Sequence, residues 1–214
     1  MVWLIYAAYV NPCGGGRGVA SKQRQEKMAE TRARLIAAGR KAFAAKGYAA
    51  ACMDDFTAEA GLTRGALYHN FGDKRGLLAA VVEQIDSEMA ARARDIGAEM
   101  DDPWAALLAE GNAYIQMALD PEVQRIVLLD GPAVLGDPSR WPSQDSCLQA
   151  TTEAMTRLIA AGVVKPMDPA IAARLLSGAA LNAALWVAAQ DKPEEALARA
   201  QDAFAHLVGG VRAG

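Results

Sequence analysis

Cysteine, histidine and aromatic residues are scarce in this 214-residue chain, and each shortage excludes something. The three cysteines, Cys13, Cys52 and Cys147, form no CxxC pair. Neither a disulfide framework nor a zinc site is indicated, and a reducing cytoplasm is the expected setting. Only His69 and His206 could serve as imidazole acids or bases, and neither sits in a catalytic constellation. A glycine-rich phosphate loop and metal-ligand spacing are missing too. No metal and no cofactor is therefore implied, and the chain does not read as an enzyme. Aromatics make up 6% of residues, alternating runs of Val, Ile and Thr are nearly absent, and no internal repeat is visible. Against these shortages stand abundant alanine and an apolar content of 52%, which together point to a large helical core.

The formal net charge of −3 conceals a split. From Arg17 to Arg75 there are twelve Lys/Arg and six Asp/Glu; the remaining positions hold ten and nineteen. A basic amino-terminal third on an acidic body suggests that one part meets a polyanion. A solvated charged helix would leave the same signature.

The opening MVWLIYAAYVNPCGGGRG lacks the basic flank of a secretion signal and is too short to span a bilayer. Residues 1–25 are expected to form a flexible tail. Apolar periodicity predicts a first helix from about Glu26 to a stop at Gly47, with Leu35, Ile36 and Phe43 facing inward. Short second and third helices follow, over about Met53–Ala60 and Thr63–Phe71, joined by a turn at Gly61-Leu62. A long fourth runs from Asp73 to about Met100. Asp-Pro pairs at 102–103, 120–121 and 168–169 each supply a cap followed by proline in the first turn, opening the fifth, sixth and eighth helices. GPAVLGDPSRWPSQDS reads as a loop, with a seventh helix from Cys147 to Ala161 and a ninth from Pro193 to Val208.

The eighth helix is apolar nearly all round, apart from Arg174, Ser177 and Asn182. Those polar groups, and the weak insertion tendency of alanine, argue against a membrane span. A soluble helix of this kind needs cover on every side. A second copy of the chain is the expected source, with the eighth and ninth helices of two copies forming a four-helix bundle.

The stretch AGLTRGALYHNFGDK, Ala60 to Lys74, carries the functional signal. Two short helices around a glycine turn make a helix-turn-helix. On a wheel of about 100° per residue, Leu67 and Phe71 fall on the inner side of the third helix. Arg64 and Tyr68 fall on the outer side, with Gly65 and His69 beside them, where a major groove could receive them. Gly65 permits close backbone approach. Lys74 sits in the first turn of the fourth helix, where the macrodipole disfavours a cation and a bound phosphate would be welcome. Tyr68 and Lys74 are expected to hold phosphates, and Arg64 to read a base edge. A half-buried Tyr68 and a solvated His69 are the plain structural alternatives.

GLTRGALYHNFGDKRGLL, following GYAAACMDDFTAEA, resembles the DNA-binding region of the TetR family of tetracycline-repressor-like regulators over about Thr31 to Val82. LLDGPAVLG and GAALNAALWVA are similar to carboxy-terminal regions of that family. The resemblance implies an all-α homodimer. Residues 26–75 would form an amino-terminal three-helix DNA-binding domain with a helix-turn-helix. Residues 76–214 would form a larger helical domain for effector binding and dimerisation. Thr63, Arg64, Gly65, Tyr68, His69 and Lys74 would contact double-stranded operator DNA. Cys52, Thr57 and Asn70 depart from the family's usual residues at their positions.

The expected function is a DNA-binding transcriptional regulator, a repressor released from its operator by a small-molecule effector. An effector-independent architectural DNA binder fits the charge split equally well, and a helical enzyme would require detectable turnover. Trp104, Tyr114, Met117, Leu128, Trp141 and Met155 are candidate groups for an effector pocket, with Asn112, Gln116 or Gln124 as polar anchors. Ordinary core packing is the competing role for each.

Overall fold

The computed structural model describes residues 16–213, and their side chains from Lys22 onward. Helix α1 spans Gly16–Ala50 and is interrupted at Gly47, whose φ of 72° lies in the left-handed region. Two short helices follow, α2 (Met53–Ala60) and α3 (Arg64–Phe71), then the long α4 (Lys74–Ala98) and α5 (Pro103–Gln116). After a 3₁₀ turn, Val123–Asp130 winds as a π-helix into the short α6 (Gly131–Leu135). Helices α7 (Pro142–Ala160), α8 (Pro169–Ala188) and α9 (Pro193–Gly209) complete the chain. Among the described residues there is no strand, only an isolated bridge between Val164 and Arg212 that pins the carboxy-terminal end.

The helix starts follow the chemistry expected of them. Asp73, Asp102 and Asp168 each accept a backbone N–H from the first turn of the helix they precede. Three boundaries differ from the sequence expectation. Residues 16–25, expected within a flexible tail, extend α1; Ala20, Lys22, Gln23, Arg24 and Gln25 favour the helix and outweigh Gly18. Residues 1–15 lie outside the described residues. The segment expected as a loop contains α6 and the start of α7, which begins at Pro142 rather than Cys147. Proline at the first helical position costs no hydrogen bond, so Pro142 opens a helix instead of extending a loop.

The amino-terminal helices close around Leu35, Phe43, Phe56, Leu67 and Leu77, all fully buried. The Phe43 and Phe56 rings meet edge to face at 5.1 Å. Helix α4 leaves this cluster and runs along α5, while α8 packs among α5, α7 and α9. The two parts are also joined by ions. Arg40 of α1 bridges Glu88 of α4 at 2.8 Å and Glu122, just before the π-helix, at 2.6 Å. The Tyr48 backbone N–H donates to Asp130 at the end of the π-helix, at 2.7 Å.

Candidate nucleic-acid interface and body cavity

Gly61 ends α2 with φ 61°, a conformation costly to any residue with a Cβ. The Leu62 N–H then reaches back to the Thr57 carbonyl at 2.9 Å. Thr63 caps α3 by accepting the Ala66 N–H at 3.2 Å, which makes Arg64 the first residue of that helix. Leu67 anchors the inner face, and Phe71 packs half-buried beneath the Arg32 guanidinium, 4.7 Å from its ring centre. Thr63, Arg64, Gly65, Tyr68 and His69 are all exposed, Tyr68 at 54%. The outward face is therefore the one the wheel indicated.

Two side chains are engaged in ways that sequence did not reveal. Arg64 donates Nε–H to Asp54 Oδ1 of α2 at 2.6 Å, and one of its terminal N–H groups to Asp54 Oδ2. This pairing holds the Asp54 carboxyl below the ordinary carboxylate range and raises the Arg64 guanidinium. Lys74 lies with Nζ 4.4 Å from the centre of the Tyr48 ring and 3.3 Å from the Ala49 carbonyl. Ring and carbonyl offset the unfavourable helix dipole in the free protein, without a phosphate.

In the body, a cavity of about 80 Å³ lies among α4, α5, α7, α8 and α9. Its walls are mostly apolar, with Leu107, Leu176, Phe204 and Val208, and its polar groups include Arg94, Glu110, Tyr114, Gln144, Thr151 and Ser177. Behind Gln144 sits Asp86, 3% exposed, whose carboxylate accepts the Gln144 amide at 2.8 Å. Burial pushes the carboxyls of Asp86 and Glu110 and the thiol of Cys147 up, each against smaller opposing contacts.

Of the six groups expected to line a pocket, Tyr114 alone is on this wall. Trp104, Met117, Leu128, Trp141 and Met155 are buried core groups elsewhere, and Met117 and Gln116 border a separate hollow beside Arg92. Gln124 is occupied with the Ala188 carbonyl, and Asn112 does not line the cavity. Apolar residues with helical spacing look alike in sequence whether they pack against a neighbour or a void. Glu110 and Ser177 are polar interruptions of mostly apolar helices, a signal they share with Asn112, Arg174 and Asn182, which are not on this wall.

Residues 35–81 match the family described as bacterial regulatory proteins, tetR family. Residues 104–211 match the tetracyclin repressor-like C-terminal domain. A TetR-family transcriptional regulator from Pectobacterium atrosepticum, known by crystal structure, is 46% identical. The match covers 88% of this chain and 97% of that one, with a TM-score of 0.82. The chain belongs to the TetR family. It is a transcriptional regulator with the all-α, two-part architecture of that family. The Transposon Tn10 TetC protein of Escherichia coli is 25% identical over 159 residues, 72% of this chain and 78% of that protein. The HTH-type transcriptional regulator TtgR of Pseudomonas putida is 30% identical over 107 residues, 49% of this chain and 51% of that protein.

The three departures from the family pattern are accommodated locally. Cys52 precedes α2, and its backbone N–H donates to Asp55 at 3.3 Å, so part of the capping falls to the third residue of the helix. Thr57 is buried, with its hydroxyl donating to the Met53 carbonyl at 3.1 Å. Asn70 turns back along α3 and donates to the Ala66 carbonyl at 2.8 Å. Helix α8 is long and apolar enough to cross a membrane; in this family architecture it is a body helix.

Proposed function

We propose that this chain is a repressor that binds operator DNA as a homodimer and is released when a small organic effector enters the body cavity. One observation carries the reading: α4 belongs to both sites. Its first residue, Lys74, follows α3 after the two-residue turn Gly72-Asp73, while Ala90, Ala93 and Arg94 form part of the cavity wall. Twenty residues of helix separate these points, about 30 Å. A tilt imposed at the cavity end moves the reading helix at the other. The Arg40 bridges to Glu88 and Glu122 would carry the same displacement into α1.

The dimer follows from α8. Ile171, Leu175, Gly178, Asn182 and Trp186 are all exposed on one stripe, with Leu207 of α9 alongside. Leu175 and Leu207 are each 70% exposed. A large apolar seam of this kind marks an interaction surface. A second copy covering it would set two α3 helices into successive major grooves, about 34–36 Å apart. The protein would work in the cytoplasm, beside its DNA.

The cavity suits a small, largely apolar molecule carrying one or two hydrogen-bonding groups for Tyr114, Gln144 or Thr151. It must bind the released state better than the DNA-bound one, or it shifts nothing. By reciprocity, operator DNA weakens effector binding by the same factor. A duplex is first selected from a random pool, and small molecules are screened for its release. Calorimetry of an active compound with and without that duplex then decides. Equal affinities in the two titrations, or no active compound from a broad screen, would favour an effector-independent DNA binder.

A further inference from the structure

We infer that Asp54 is a positioning residue for base reading: it holds Arg64 by one edge and leaves the other edge aimed at a guanine. The inference rests on the proposal that α3 enters the major groove. A guanidinium has five N–H donors in a planar fork. Asp54 takes the Nε–H and one terminal N–H, the side-on edge. The end-on edge, with one N–H from each terminal nitrogen, has no partner among the described residues. That edge matches the O6 and N7 acceptors of guanine in the major groove.

The surroundings support positioning over stabilisation. Asp54 and Arg64 are 65% and 62% exposed, and exposed ion pairs contribute little to folding. The neighbouring Asp55 is occupied by Lys46 at 2.8 Å and by the Cys52 N–H, and among the described residues the Asp54 carboxylate is paired with Arg64. Arg64 is the first residue of α3, and amino-terminal residues of a recognition helix are those that meet base edges. A long side chain already held in the free protein loses less entropy when it docks.

The carboxylate also has a cost, because it adds a negative charge on the surface that faces a polyanion. Positioning therefore predicts opposite signs for two measurements. Asp54→Asn keeps the size of the side chain and removes the charge and the second acceptor. Full-length protein, the Asp54→Asn, Asp54→Glu and Arg64→Ala variants, and the Arg64→Ala/Asp54→Asn double variant are each selected against a pool of random-sequence duplexes. Binding to one matched and one unrelated duplex is then measured at fixed salt.

Arg64→Ala is expected to flatten a guanine preference at one position of each half-site. Asp54→Asn should weaken the preference at that same position several-fold, up to about tenfold, while binding to the unrelated duplex holds or strengthens. Asp54→Glu should restore part of the preference, and in the Arg64→Ala background Asp54→Asn should change it no further. If Arg64→Ala flattens nothing, the assignment of Arg64 as a base reader falls. If Arg64→Ala flattens the preference and Asp54→Asn leaves or sharpens it, the positioning role alone falls. Equal weakening of both duplexes by Asp54→Asn would mark Asp54 as merely structural and overturn the inference.

Discussion

The ring of Phe204 lies directly against Gly111, so that a Cβ at position 111 would come within 2.5 Å of the ring's Cε1. Gly111 sits inside α5, where alanine would otherwise favour the helix by about 0.5–1 kcal/mol. The close approach is therefore maintained at a cost, and Phe204 is the reason. Its ring borders the body cavity on one side and the groove between α8 and α9 on the other. Gly111→Ala should destabilise the fold by a net ~1 kcal/mol, the overpacking exceeding the helix gain. Urea unfolding measures this, and Phe204→Leu in the Gly111→Ala background should recover part of the loss. Additive effects of the two substitutions would show that the ring is not what the alanine meets.

Leu175→Glu tests the dimer without damaging the protomer. At 70% exposure, Leu175 makes little of the protomer's core. The variant should keep its helical content and sediment as a monomer at micromolar concentration, with operator binding lost. A dimer of undiminished affinity would place the interface elsewhere.

Lys74→Ala should weaken binding to matched and unrelated duplexes alike and lower the slope of log affinity against log salt by about 1, the signature of one lost phosphate contact. The Tyr48 ring and Ala49 carbonyl that hold the ammonium in free protein leave it partly exposed for that contact. An unchanged slope would restrict Lys74 to its local role.

Asp86 predicts a pH dependence. Burial raises its carboxyl above the ordinary 3.8. As pH climbs past that value the unfolded chain loses its proton first, so the native state holds more protons and stability falls until the buried group itself ionises. Asp86→Asn removes this loss and keeps an acceptor for Gln144. The melting temperature of the variant relative to the parent should therefore rise as the pH is raised above 3.8. A difference that stays constant over that rise would mean that the group does not titrate differently in the two states.

The all-helical class, most helix starts and the outward face of α3 were legible in the sequence because they depend on local rules. Asp73, Asp102 and Asp168 cap wherever they stand before a helical run. The three- and four-residue spacing puts Leu67 inside and Tyr68 outside whatever lies beyond. The departures at α6 and at the start of α7 lie at prolines, Pro132 and Pro142, which stand in the first turn of each helix; whether proline opens a helix or extends a loop depends on whether the chain after it is free to coil.

Tertiary structure alone decided which apolar groups line a void and which ionic groups meet. Tyr114 reaches the cavity and Met155 does not, a matter of where α5 and α7 cross their neighbours. Asp54 and Arg64 are ten positions apart and on different helices. Their pairing follows from the angle between α2 and α3, set by the Gly61 turn and the packing of Phe56 and Leu67. Sequence determined what each helix presents, since side-chain direction follows from backbone period. What each presented group touches depends on how helices pack, and that is settled by the whole core at once.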